Sequence, residues 1–280
     1  MCGRFTATWP SYDDLVKALD LGGMGVAAVD EQALLYRPRW NVAPMEHHWV
    51  VRLAPRSSER ELVPAAWGFL PGAGRGSRPS YPLINARSES VTRQPAFKES
   101  MAKRRCVVPV DGFYEWVGPP KARRPIWFHP PEGGLLRLAG LWEPARGARG
   151  EGAPPWEFTI LTTAANDVVA PAHDRMPVVL APHDVETWLH APDAEALALL
   201  HPAPLEALIG TPASPRVNKV GNDDPSVLDP SIEADAPAGT AAAKPRGARK
   251  PAATRPEGTL SLFGDEPAAV APRARRSRRA

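Results

Sequence analysis

Short β-branched or aromatic runs, broken repeatedly by Pro and Gly, fill the first 235 residues. The runs "HWVVRL" (48–53), "LVPAAWGF" (62–69), "RCVVPV" (105–110), "PIWFH" (125–129), "LLRLAGLW" (135–142), "EFTILTT" (157–163) and "MPVVL" (176–180) read as strands. Helical patterns begin after Ser11, at Pro95 and at Pro182, where a Ser cap or a Pro in the first turn supplies the start signal. Strands outnumber helices and no strand–helix–strand repeat occurs. The pattern predicts an α+β class: one domain over 2–235, built on a curved, barrel-like, mostly antiparallel sheet with flanking helices.

Beyond residue 236 the apolar runs stop. Ala, Pro, Gly, Arg and Lys dominate, and such a segment cannot bury enough surface to offset its ordering entropy, so 236–280 is expected to be a disordered basic tail. The tail also explains the charge. It holds ten Lys and Arg against three Asp and Glu, which leaves 24 against 28 for residues 1–235 although the whole chain is +3. Nucleic-acid binding by the domain therefore needs a local patch, and the run 75–105 with Arg75, Arg78, Arg87, Arg93, Lys98, Lys103, Arg104 and Arg105 is a candidate, a solvated basic face being the alternative.

The 280 residues contain 43% hydrophobic types, enough for a sizeable core, and no run reaches the length of a membrane span. The N-terminus lacks the blocks of a signal peptide, so a cytoplasmic protein is expected, nucleoid-associated in a bacterium, with no membrane partner. Cys2 and Cys106 give neither a disulfide framework nor a thiolate zinc site. Cys106, inside "CVVPV", reads as a small buried hydrophobe. His47, His48, His183 and His190 suggest no ligand set, so no metal and no cofactor are expected. Phosphate-loop, zinc-protease and hydrolase-elbow motifs are absent.

Polar residues gather in four short segments at strand edges: "CGR" (2–4), "NARSE" (85–89), "GFYEW" (112–116) and "AHDRMP" (172–177). Cys2 would carry a thiol and a free α-amine on adjacent carbons once Met1 is removed. Glu115, between Tyr114 and Trp116, is either a proton carrier in apolar surroundings or the outward residue of an alternating strand. His173 is a general acid–base candidate or a structural histidine. Asn85 and Arg87 share a face by period-two alternation.

Taken in order, "MCGRF", "RWNVAP" (39–44), "AAWGFLP" (65–71), "INARSE" (84–89), "RCVVPVDGFYEW" (105–116), "LAGLWEP" (138–144), "FTILTTAAN" (158–166), "HDRMPVVL" (173–180) and "RVNKVGNDDP" (216–225) resemble the SRAP family, the abasic-site processing proteins first named SOS response-associated peptidases. The chain departs from that pattern at "GAGRGSRPS", where relatives often carry Trp. The resemblance implies that Cys2, freed of Met1 by a peptidase-like step, captures the ring-opened sugar aldehyde of an abasic site in single-stranded DNA as a thiazolidine. It further implies that Asn85 holds the amine and sugar, Glu115 shuttles protons and His173 acts at the sugar hydroxyl. Lyase character is a further implication. Arg4 and Arg87 would clamp phosphates, and Trp67, Phe69 or Trp116 would either stack on bases or pack in the core.

In the tail, "GTLSLFGDE" (258–266) is the only apolar island. Its 259–263 portion resembles the peptide by which bacterial repair proteins bind the replication sliding clamp, with Leu260, Leu262 and Phe263 as anchors and Thr259 where Gln is usual. A monomer is expected. Two other readings remain: a cysteine amidohydrolase with an N-terminal nucleophile, and a non-covalent single-strand binder whose Cys2 is inert.

Overall fold

A computed structural model describes residues 2–19, 36–55, 57, 59–69, 81–120, 122–145 and 153–232. All lie in one compact unit, Met1–Ala236. The tail and its candidate anchors Leu260, Leu262 and Phe263 lie outside the described residues, as do Arg75 and Arg78.

Among the described residues two sheets form the unit. The larger contains β3 (His47–Leu53), β4 (Arg60–Trp67), β5 (Asn85–Arg87), β6 (Arg105–Val110), β9 (Leu136–Pro144), β10 (Trp156–Ala164), β11 (Arg175–Pro177) and β12 (Val179–Leu180). Its strands close a ring because β10 pairs antiparallel with β9 and parallel with β4. The smaller sheet runs β13 (Ile209–Pro212), β8 (Arg124–His129), β7 (Gly112–Val117), β1 (Phe5–Ala7) and β2 (Arg39–Val42). Pairing is antiparallel except where β10 meets β4 and β5, so the mostly antiparallel, curved sheet expected from the sequence is present. No helix among the described residues is long and apolar enough to cross a membrane.

Apolar alternation on the larger sheet produces two cores. One face packs Val51, Val107 and Leu161 under Leu15 of α1 (Tyr12–Ala18), Met101 of α2 (Lys98–Lys103) and Trp188 of α3 (Asp184–His190). Ser11 caps α1 by accepting the Asp14 N–H at 3.1 Å, as its position before an apolar-periodic run predicts. The other face joins the smaller sheet through Cys2, Phe5, Trp67, Cys106, Phe113 and Phe158. Trp67 and Phe158 stack with ring centroids 6.2 Å apart. Among the described residues a further helix, α4 (Asp193–Ala198), lies outside the helical patterns of the sequence.

Two sequence expectations are corrected here. Trp67 and Phe69 are 0% and 1% exposed, so neither offers a ring face to a base; both are core residues. The basic run 75–105 is not one patch either. Arg105 is buried and donates to the carbonyls of Trp188, Met101 and Ala191, while Arg104 donates to Glu143 at 2.6 Å. These charges hold helices to the ring.

β6 and β7 are separated only by Asp111, and Gly112 opens β7 against Trp127. A methyl group at Gly112 would lie 2.1 Å from Trp127 Nε1 and 2.9 Å from the carbonyl oxygen of Phe128. Gly112→Ala should therefore destabilise the fold by roughly 1–3 kcal/mol, read from the denaturation midpoint.

Candidate functional site

Cys2 lies immediately before β1, in the core between the sheets, and is 0% exposed. Its carbonyl oxygen accepts Asn85 Nδ2–H at 2.8 Å, and its thiol approaches the Arg4 carbonyl at 3.9 Å. Burial is the main cause that pushes the thiol well above its ordinary pKa, with the Glu115 charge adding to it. The group is therefore a thiol, not a thiolate, at neutral pH.

Asn85 opens β5, a three-residue strand held parallel to β10 by pairing with Ile160, Leu161 and Thr162. Ala86 is buried on the helix face, so its neighbours turn the other way: Asn85 toward Cys2 and Arg87 to solvent. Trp67 helps to fix this strand by donating its indole N–H to the Ile84 carbonyl at 2.9 Å. Asn85 Oδ1 is buried without a hydrogen-bond partner among the described residues, leaving an acceptor at the Cys2 side.

Glu115 comes from β7, on the same face as core Phe113, and is 5% exposed. Burial raises its carboxyl to about 7, against the opposing pull of the ammonium at the chain start and of Arg123. A carboxyl tuned to that range can give and take protons at neutral pH. The outward-facing alternative for Glu115 is thus excluded.

His173 stands in the loop before β11, half-buried. Its Nδ1 accepts the Arg175 backbone N–H at 3.0 Å, which places the proton of the neutral ring on Nε2. Asp174 Oδ1 is 2.8 Å from the same nitrogen, so protonation of Nδ1 would exchange the main-chain bond for an ion pair. Burial, then the ammonium at the chain start, lowers the imidazole pKa, and Asp174 opposes both. The ammonium at the chain start acts on Cys2, Glu115 and His173 alike.

The remaining candidates divide. Arg87 is exposed. Trp116 is half-buried, with its indole N–H donating to Asn218 Oδ1 at 2.7 Å. Arg4 is turned inward: its Nη1 donates to Asn41 Oδ1 and to the Val217 carbonyl, both at 2.7 Å, so this part of the guanidinium is committed to the fold rather than to a phosphate.

Three charged residues at the site escaped the sequence reading. Arg175 makes a two-pronged bond to Glu89, at 2.5 and 3.0 Å, and donates to the Thr162 carbonyl at 2.5 Å. The pair ties the segment after β5 to β11, and so links the elements that carry Asn85 and His173. Its signal was present, an acid two residues after Arg87 and a base two residues after His173. Arg123, on the loop joining β7 to β8, acts on both Glu115 and His173 and had no sequence signal.

The profile of the family described as SOS response associated peptidase (SRAP) matches residues 1–220. A Bacillus subtilis (strain 168) protein named abasic site processing protein YoqW is 30% identical over 236 residues, covering 82% of this chain and 99% of its own. The Gallus gallus protein named abasic site processing protein HMCES is 34% identical over 230 residues, covering 70% of this chain and 67% of its own. A crystal structure from Bacteroides thetaiotaomicron shares the fold, with a TM-score of 0.66 at 20% identity over 82% of this chain and 100% of that one.

Proposed function

This chain belongs to the SOS response associated peptidase family, and on that premise we propose that it processes abasic sites in single-stranded DNA by covalent capture on Cys2. The observation that supports the reading is the bond from Asn85 to Cys2, with the Glu115 carboxyl raised to about 7 and the ammonium at the chain start acting on Cys2, Glu115 and His173 alike.

Removal of Met1 frees the Cys2 α-amine. The amine attacks the C1′ aldehyde of the opened sugar, the carbinolamine loses water, and the resulting imine carbon receives the Cys2 sulfur. The thiol proton ends on the ring nitrogen, giving a thiazolidine. Glu115 suits the proton transfers, since one proton must leave the attacking amine and one must reach the departing hydroxyl. Asn85 Oδ1 is an acceptor for the amine N–H, and His173 Nε2–H is a donor for the sugar oxygens. The high pKa of the buried thiol supports the order of steps: amine first, sulfur second. Release of Met1 and any strand-cleaving lyase step would draw on the same groups.

Arg87 and Arg123, exposed beside the site, supply the phosphate contacts, and Trp116 supplies an aromatic edge. In a Cys2→Ala background, Arg87→Ala should weaken binding of an abasic oligonucleotide and reduce the slope of log affinity against log salt by about 1, read by fluorescence anisotropy. The covalent step itself is tested by a denaturing gel of the mature protein with abasic and undamaged oligonucleotides. A shifted band that needs the lesion is expected, and binding that vanishes on denaturation would leave only a passive binder.

A further inference from the structure

Two of the sequence blocks that carry the family resemblance, "RWNVAP" and "RVNKVGNDDP", contribute none of the reactive groups. They meet beside the chain start. Asn41, 0% exposed on β2, donates its Nδ2 hydrogens among the carbonyls of Val217 (3.2 Å), Lys219 (3.1 Å) and Asn222 (2.7 Å). Its Oδ1 accepts Arg4 Nη1–H at 2.7 Å, and the same nitrogen donates to Val217 at 2.7 Å. Asp223 closes the turn onto β2. Its Oδ1 accepts the N–H groups of Trp40 (2.7 Å) and Asn41 (2.9 Å), and its Oδ2 accepts Arg39 Nε–H.

Residues 2–4 precede the first strand, and the start of a chain frays unless tied. Here it is tied three ways. Asn85 holds the Cys2 carbonyl, the Tyr114 N–H holds the Arg4 carbonyl at 3.0 Å, and the Asn41 turn holds the Arg4 side chain. Only the last tie comes from outside the elements bearing the reactive groups. A nucleophile on the terminal residue itself, as Cys2 is once Met1 is gone, gains rate chiefly from being held in an attacking orientation, and a small misplacement costs much of it.

We propose that Asn41 and Asp223 are positioning residues for the N-terminal nucleophile: the 216–223 turn, buckled to β2, grips Arg4 and fixes the direction in which Cys2 enters the site. Neither residue touches the reacting atoms. The proposal rests on the reading of Cys2 given above. Asn is required at 41 because one side must donate to three carbonyls while the other accepts from Arg4. A carboxylate there would set oxygen against oxygen.

The test is single-turnover crosslinking of the mature protein to an abasic oligonucleotide at increasing DNA concentration, with amplitude, saturating rate and half-saturation read separately. Asn41→Asp should lower the saturating rate at least about tenfold with half-saturation within about twofold. Asp223→Asn keeps an acceptor for the two main-chain N–H groups and removes the charge facing Arg39; it should lower the rate about threefold to fivefold. A purely structural role would reduce amplitude, the folded fraction, and leave the rate of that fraction unchanged; that result overturns the proposal, as does a loss of affinity alone. Should Asn41→Asp fail to fold, Asp223→Asn decides by the same criteria. Absence of a crosslink from the wild type would overturn the reading of Cys2 and the proposal with it, whereas wild-type crosslinking with unchanged variants would overturn the proposal alone.

Discussion

Cys2→Ala is expected to abolish the protein–DNA species that survives denaturation, to below about 1% of wild type, while non-covalent affinity changes by less than about twofold. The alanine variant keeps the α-amine once Met1 is gone, so it can still form an imine with the sugar aldehyde. It has no sulfur to close the ring. Its imine hydrolyses under denaturing conditions, and borohydride reduction before the gel should recover a band. Recovery by reduction separates the roles of amine and thiol: the amine captures and the thiol makes capture durable. Cys2 is buried in the core, so the folded fraction of the variant must be checked by circular dichroism. A stable band of wild-type intensity from Cys2→Ala would contradict the assignment of the nucleophile.

Glu115→Gln is expected to trade activity for stability. Burial lifts the Glu115 carboxyl from 4.5 to about 7 in the folded chain. The folded state therefore holds a proton that the unfolded state has lost, and stability falls as pH rises through that window. Below about 4.5 the group is neutral in both states and contributes no penalty. Above about 7 the folded protein carries a buried carboxylate that costs of order 3 kcal/mol relative to the unfolded chain. Gln is nearly isosteric and never ionises. At pH 8 the variant should be more stable than wild type by up to about 3 kcal/mol, and at pH 4 the two should match. Crosslinking should slow by about 10²-fold or more because the proton carrier is gone. Denaturant titrations across pH and single-turnover rates check both halves. A variant less stable than wild type at pH 8 would show that the carboxylate is held by favourable bonds rather than strained by burial.

The fold was most legible where strands are long. "RCVVPV" gave the bounds of β6, and the bounds of β3, β8 and β10 were off by a residue at most, because their apolar runs end at turn residues. "MPVVL" was read as one strand, yet β11 and β12 pair with different partners and break at Val178. β1 and β5, three residues each, have too few positions to show a period, although they present Cys2 and Asn85. For the candidate site, the motif order offered Cys2, Asn85, Glu115 and His173 as candidates. It could not separate ligand-facing aromatics from core aromatics, as Trp67 and Phe69 show, because packing alone decides which ring face is covered. Nor could it reveal that Arg4 is turned into the fold, since Asn41 and Val217 lie far away along the chain.

The most direct test of the account is the mass of the adduct. The mature protein is reacted with an abasic oligonucleotide, digested with nuclease and protease, and the modified peptide is sequenced by mass spectrometry. The expected peptide begins at Cys2, lacks Met1, and carries the sugar phosphate less one water, without prior reduction. A stable adduct on a lysine, or on a peptide that retains Met1, would contradict it.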